Sequence, residues 1–155
     1  MATTITNATL TVTLTESISL NGSEQGASNT LTIADVDEIS KRIVTIPTAE
    51  KTIIAMGTAI SNGTFIESDV RYIRITNKDD ANHVTLTFKD EGNSEFAVKL
   101  DKGQSFIYNG DLAGGVVDTM DANGSALSLS LGDLVDITAI ADTASVDLEI
   151  FVASA

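Results

Sequence analysis

Apolar and polar residues alternate with a period of two along most of this chain. From Thr9 to Thr15 threonine alternates with Leu10, Val12 and Leu14, and the row continues through Ile18 and Leu20 with Glu16 as its single break. A period of two turns one set of side chains toward a core and the other toward water, which is the signature of a strand. The polar run Asn21 to Asn29 reads as a long, mobile loop. Short β-branched runs at 30–33, 40–46 and 52–56 read as further strands. Pro47, the only proline, stands at the end of the second, where a missing N–H does little harm.

The clearest stretch predicts four strands at 72–76, 83–89, 95–100 and 105–109. The loops between them, 77–82, 90–94 and 101–104, are each short enough for an antiparallel hairpin. Val84, Leu86 and Phe88 face inward from one strand, and Phe96, Val98 and Leu100 from the next. After Asn123-Gly124, Leu127, Leu129 and Leu131 alternate with serines; the last strand, 146–152, alternates until Phe151. Only 35–41 and 131–141 could hold a helical turn, and the Val, Ile and Thr content of the second favours strand. Eight or more short strands without a βαβ unit or an internal repeat predict an all-β fold, an antiparallel β-sandwich of jelly-roll type or a barrel. The expected layout is an extended, uncharged N-terminal arm over 1–9 and a single sandwich domain over 10–155.

Composition narrows the function classes. A chain of 155 residues is large enough for a core without disulfides, and the absence of Cys suits a reducing cytosol. No run of about 18 apolar residues is present to cross a membrane as a helix, and the first residues lack the basic start and apolar stretch of a signal peptide. The net charge is −13, unevenly spread: residues 1–40 carry five acids and no base, 103–155 eight acids and no base, and all nine Lys and Arg lie between Lys41 and Lys102. Without a basic stripe to displace counterions, binding to nucleic acid or anionic membrane is not expected. Apolar content built from Ala, Val, Ile and Leu, with only seven aromatics, favours a homo-oligomer that buries flat β surface.

Candidate chemistry is sparse. His83, the sole imidazole, sits beside Asp79 and Asp80, and an Asp–His pair could activate a hydroxyl such as Ser105. No nucleophile-elbow motif accompanies it, and a surface histidine beside a turn is the simpler reading. Asp35, Asp37 and Glu38, the pair Asp79 and Asp80, and the series Asp118, Asp121, Asp133 and Asp136 supply hard oxygen ligands of the kind Ca²⁺ takes. None fits the spacing of a calcium loop, so they read as solvated loop carboxylates. Zinc lacks ligands. The row Thr9, Thr11, Thr13 and Thr15 resembles one rung of an ice-binding solenoid, but cross-strand threonine packing explains it. Sequons at Asn7, Asn21, Asn62 and Asn123 matter only on secretion. No catalytic, metal or cofactor residue is therefore expected.

The block Arg71 to Asn77, the loop to His83, the run Glu95 to Leu100, Gly103 to Phe106 and the closing Val146 to Ala153 together resemble small β-sandwich virion structural proteins of tailed bacteriophages, marine and cyanobacterial ones in particular. The likeness spans about 70–155 and is one of pattern and composition. It implies a non-enzymatic capsid decoration or cement protein on the outer shell, an oligomer, often a trimer, made in the host cytoplasm and bound to the major capsid protein. Residues 1–9 would then suit strand addition along a neighbour. A tail, neck or fibre component is the alternative within a particle. A carbohydrate-binding module, with a platform from Tyr72, Tyr108 or a phenylalanine, is the alternative outside it.

Overall fold

A computed structural model describes residues 4–121 and 130–155. Thirteen strands and no helix occur among them: β1 (Ala8–Thr15), β2 (Ser19–Leu20), β3 (Ser23–Glu24), β4 (Ser28–Val36), β5 (Glu38–Ile46), β6 (Lys51–Gly57), β7 (Thr64–Ile66), β8 (Val70–Asn77), β9 (Val84–Asp90), β10 (Glu95–Leu100), β11 (Ser105–Asn109), β12 (Leu134–Ala141) and β13 (Val146–Ser154). Asn123, Gly124, Leu127 and Leu129, which the serine–leucine pattern singled out, lie outside the described residues.

Two antiparallel sheets face each other. One runs β10-β9-β12-β6, with the short β7 added parallel to β6; the other runs β11-β8-β13-β5. With β7 set aside, the eight long strands fall into two fours in the order of a jelly roll, the Greek-key sandwich whose chain crosses repeatedly between sheets. The expected all-β antiparallel sandwich is the observed one.

Each strand turns its apolar set into the space between the sheets. Val84, Leu86 and Phe88 from β9 meet Ile73 and Ile75 from β8 and Leu148, Ile150 and Val152 from β13, all at or near zero exposure. Phe88 is the hub. Its ring stacks on Phe96 at 4.8 Å in its own sheet and touches Phe106 at 5.0 Å and Tyr108 at 5.6 Å on β11 of the other.

Of the three loops expected to close hairpins, only 90–94 does so, between β9 and β10. Segments 77–82 and 101–104 instead cross from one sheet to the other, because β8 and β11 pair with each other across them. Loop length alone does not separate a hairpin from an arch. Here a buried side chain fixes the choice. The Asn77 amide donates to the carbonyls of Asn82 (2.9 Å) and Leu100 (3.2 Å), its Oδ1 accepts the Asp79 N–H, and its backbone bonds Gln104 and Gly103. One side chain thus clasps both crossings.

Residues 21–29 and 35–41 also differ from expectation. The first holds a tight turn, β3 and the start of β4; the second is strand broken at Asp37, with Asp35 at φ 58° near the end of β4. No helix forms there because Val36, Ile39 and Ile43 take strand positions with cross-strand partners.

The N-terminal part does not join the sandwich. β1 and β4 pair antiparallel into a long hairpin, Leu10 opposite Ile33 and Val12 opposite Leu31, with β2 and β3 as its tip. Asn21 (φ 52°) and Gly22 (φ 77°) make the two-residue connection with both φ positive, the geometry that Asn-Gly favours. A two-stranded hairpin is marginal alone in water. This one is held because Ile33 and Val36 pack on Tyr72 and Ala153, with Phe151 alongside, on the outer face of β11-β8-β13-β5. That contact also accounts for Phe151, an aromatic at an outward position of β13: the hairpin lies over it.

Candidate functional site

The two outer faces of the sandwich differ in character. On β10-β9-β12-β6 the outward residues are mostly polar, Ile140 apart, and are cross-linked: Lys89 Nζ reaches Glu50 at 3.1 Å, and the Thr138 hydroxyl donates to the same carboxylate at 2.6 Å. The hydrogen bond from Thr138, then Lys89, holds Glu50 below the usual carboxylate range. This is an ordinary wet sheet surface.

On β11-β8-β13-β5 the outward rows run Ile43, Glu149, Thr76, Ser105; then Lys41, Phe151, Arg74, Ile107; then Ile39, Ala153, Tyr72, Asn109. Apolar residues occupy both edges and the centre. The hairpin crosses the centre and heads for the β11 edge, where Leu14 lies beside Ser105 and Ile107; shallow grooves of about 440 and 330 Å³ remain beneath it. Its apolar side begins buried and ends bare. Ile33 is 1% exposed, whereas Leu14, Ile18 and Leu20 are 52, 55 and 61% exposed. At the opposite edge Ile39 and Ile43 are 56 and 63% exposed. These are two exposed apolar patches at opposite edges of one sheet, the kind of surface that makes a candidate site of association.

Charge on this face is ordered too. Glu149 bonds Arg74 Nη2 at 2.7 Å and lies 3.6 Å from Lys41 Nζ, so one carboxylate serves two bases. The hydrogen bond from Arg74 is the main reason that Glu149 is held below the usual carboxylate range, and Lys41 adds to it. Arg74 also sits 6.0 Å from the centre of the Phe151 ring. The hairpin tip carries only Glu16 and Glu24. Glu24 Oε1 accepts the N–H groups of Ile18 (3.1 Å) and Gly26 (2.8 Å), which fixes the tip's shape.

The residues singled out for catalysis are not brought together. His83 Nδ1 lies 3.6 Å from Asp142 Oδ2, a partner far along the chain. Asp79 spends its carboxylate on the N–H groups of Asn82 and Ala81, which lowers its pKa. Ser105 shares a hydrogen bond with Thr76 at 2.7 Å. The carboxylates weighed above as Ca²⁺ ligands form no cluster of three or more among the described residues, and Asp133 accepts the Asp118 N–H at 2.8 Å. The threonine row faces water and pairs across the hairpin, Thr13 with Thr30 and Thr15 with Ser28. Neither tyrosine offers a sugar platform: Tyr72 is buried beneath the hairpin, and Tyr108 stacks on Phe88 with its hydroxyl bonded to Thr119. Among the described residues, no helix is long and apolar enough to cross a membrane.

One buried acid makes a local prediction. Glu67 is 7% exposed, and burial, with Asp133 and Glu91 adding to it, holds its carboxyl above the usual range. Its charged form therefore costs stability at neutral pH. Glu67→Gln is expected to raise the urea midpoint at pH 7. The gain shrinks as pH falls through the raised value, where the wild-type group takes up its own proton. A loss of stability, or a gain independent of pH, would contradict this.

The projecting hairpin is the feature that sequence reading missed. Its signal was present in Asn21-Gly22 flanked by apolar alternation, the strongest short-range hairpin cue.

No family model and no curated protein matches the chain. Among solved structures it is similar to a chain from the work described as "Bacillus endospore appendages form a novel family of disulfide-linked pili", with 13% identity and a TM-score of 0.41 over 76% of this chain and 84% of that one. A superposition that loose does not relate the two chains in function.

Proposed function

We propose that this chain is a non-enzymatic structural subunit of a tailed-bacteriophage particle, a capsid decoration protein that attaches to the outer shell and to its own copies. The observation that carries the structural part is the bare apolar surface on the hairpin and on the outer face of β11-β8-β13-β5, set against a mostly polar opposite face. Fully burying an exposed Leu or Ile side chain contributes about 1.5–3 kcal/mol; Leu14, Ile18, Leu20, Ile39 and Ile43 are a little over half exposed, so covering all five contributes on the order of 4–9 kcal/mol toward the cost of association. The assignment to a phage particle rests on the resemblance across 70–155, and a jelly-roll architecture, which viral capsid domains use, suits it.

Antibody labelling of purified particles tests the address. An antibody against this chain is expected to decorate heads in negative-stain images, and the chain to co-sediment with the particles. Label confined to the tail would replace decoration by the tail, neck or fibre reading. Particles that carry neither label nor chain would remove the assignment.

A further inference from the structure

We propose that the hairpin tip of one copy docks on the β5 edge of the outer face in a second copy, Leu14, Ile18 and Leu20 covering Ile39 and Ile43, with Glu16 and Glu24 facing Lys41. The inference rests on the structural-subunit reading and names the partner of that surface.

Three observations select a second copy as the occupant. The tip is apolar and purely acidic, while on the β5 edge Lys41 stands between Ile39 and Ile43, and its carboxylate partner Glu149 is bonded more closely by Arg74 of β8. The two patches are therefore complementary in both hydrophobicity and charge. They also lie at opposite edges of one sheet: the hairpin leaves past Ser105 and Ile107 on β11, and β5 is the far strand. A tip directed off one edge does not return to the other edge of its own molecule, so the contact joins copies head to tail. Finally, β5 has a neighbour on one side only and presents nine residues of strand, Glu38–Ile46, to an incoming segment. Head-to-tail contacts of this kind generate closed rings or open chains according to the rotation between copies.

The test uses the full chain and two double variants at exposed positions, which leave the core intact. Wild type is expected to self-associate by light scattering and sedimentation. Ile18→Ser with Leu20→Ser, and separately Ile39→Ser with Ile43→Ser, raise the dissociation constant about a hundredfold or more. Mixing the two double variants restores a one-to-one pair, because each retains the half that the other has lost. Lys41→Glu weakens association, and Glu16→Lys in the same chain recovers it. A wild type that stays monomeric at every concentration, or a mixture that stays monomeric, overturns the proposal. A monomer that still labels particles overturns self-docking and leaves the particle assignment standing. Head-to-tail association without particle label supports self-docking and removes that assignment.

Discussion

Phe88→Ala is expected to cost about 3–5 kcal/mol of unfolding free energy, the range for emptying a large, fully buried aromatic site. Phe88 has no exposed surface, and its ring contacts Phe96, Phe106 and Tyr108. Two of those partners belong to the opposite sheet, so the cavity opens between the layers and not within one of them. A domain of this size loses about 2–4 °C of Tm per kcal/mol, giving a fall of roughly 6–20 °C. Because total stabilities are about 5–15 kcal/mol, the variant stands near the limit of folding. Thermal unfolding followed by circular dichroism checks this. A shift of only a degree or two would mean that the aromatic cluster does not join the sheets.

Asn77→Ala is expected to cost about 2–4 kcal/mol, since a buried polar group left without a partner costs roughly 1–3 kcal/mol. The substitution abandons the Leu100 carbonyl, the Asn82 carbonyl and the Asp79 N–H together. Asn77→Asp is the sharper control. It keeps the volume but replaces the amide donor by an oxygen, so both donated bonds are lost and a charge is placed where the wild-type side chain is fully buried. Denaturant titration should show Asp at least as damaging as Ala. If Asp were tolerated, the clasp would be a matter of shape, and the account of the two sheet crossings would fail.

Much of the fold was legible because period-two alternation reports directly on strand faces. Val84, Leu86, Phe88 and Leu100 are buried as the pattern requires, and β8 to β11 fall within a residue or two of the expected spans. Connection was not legible. Segments 77–82 and 101–104 look like hairpin turns, and the pairing of β8 with β11, with the Asn77 bond to the distant Leu100 carbonyl, shows that they are arches. Phe151 broke the closing alternation for a reason outside its own strand, the hairpin that covers it.

The same limit applies to the surface. The row from Leu10 to Leu20 was readable as one-sided, but which part is buried depends on what lies beneath it. Sheet lies under Leu10 and Val12, whereas Leu14, Ile18 and Leu20 remain exposed. His83 found its partner in Asp142, which no local motif could indicate.

Amide hydrogen exchange, compared between the chain diluted to its monomer and the chain on its particle, is the most direct test of whether this molecule works by gripping neighbours through the hairpin and the β5 edge. The account predicts slowed exchange concentrated at 14–20 and 39–43, with the polar face around Lys89 and Thr138 unchanged. Protection centred on the polar face or the His83 loop, with 14–20 still exchanging freely, would contradict it.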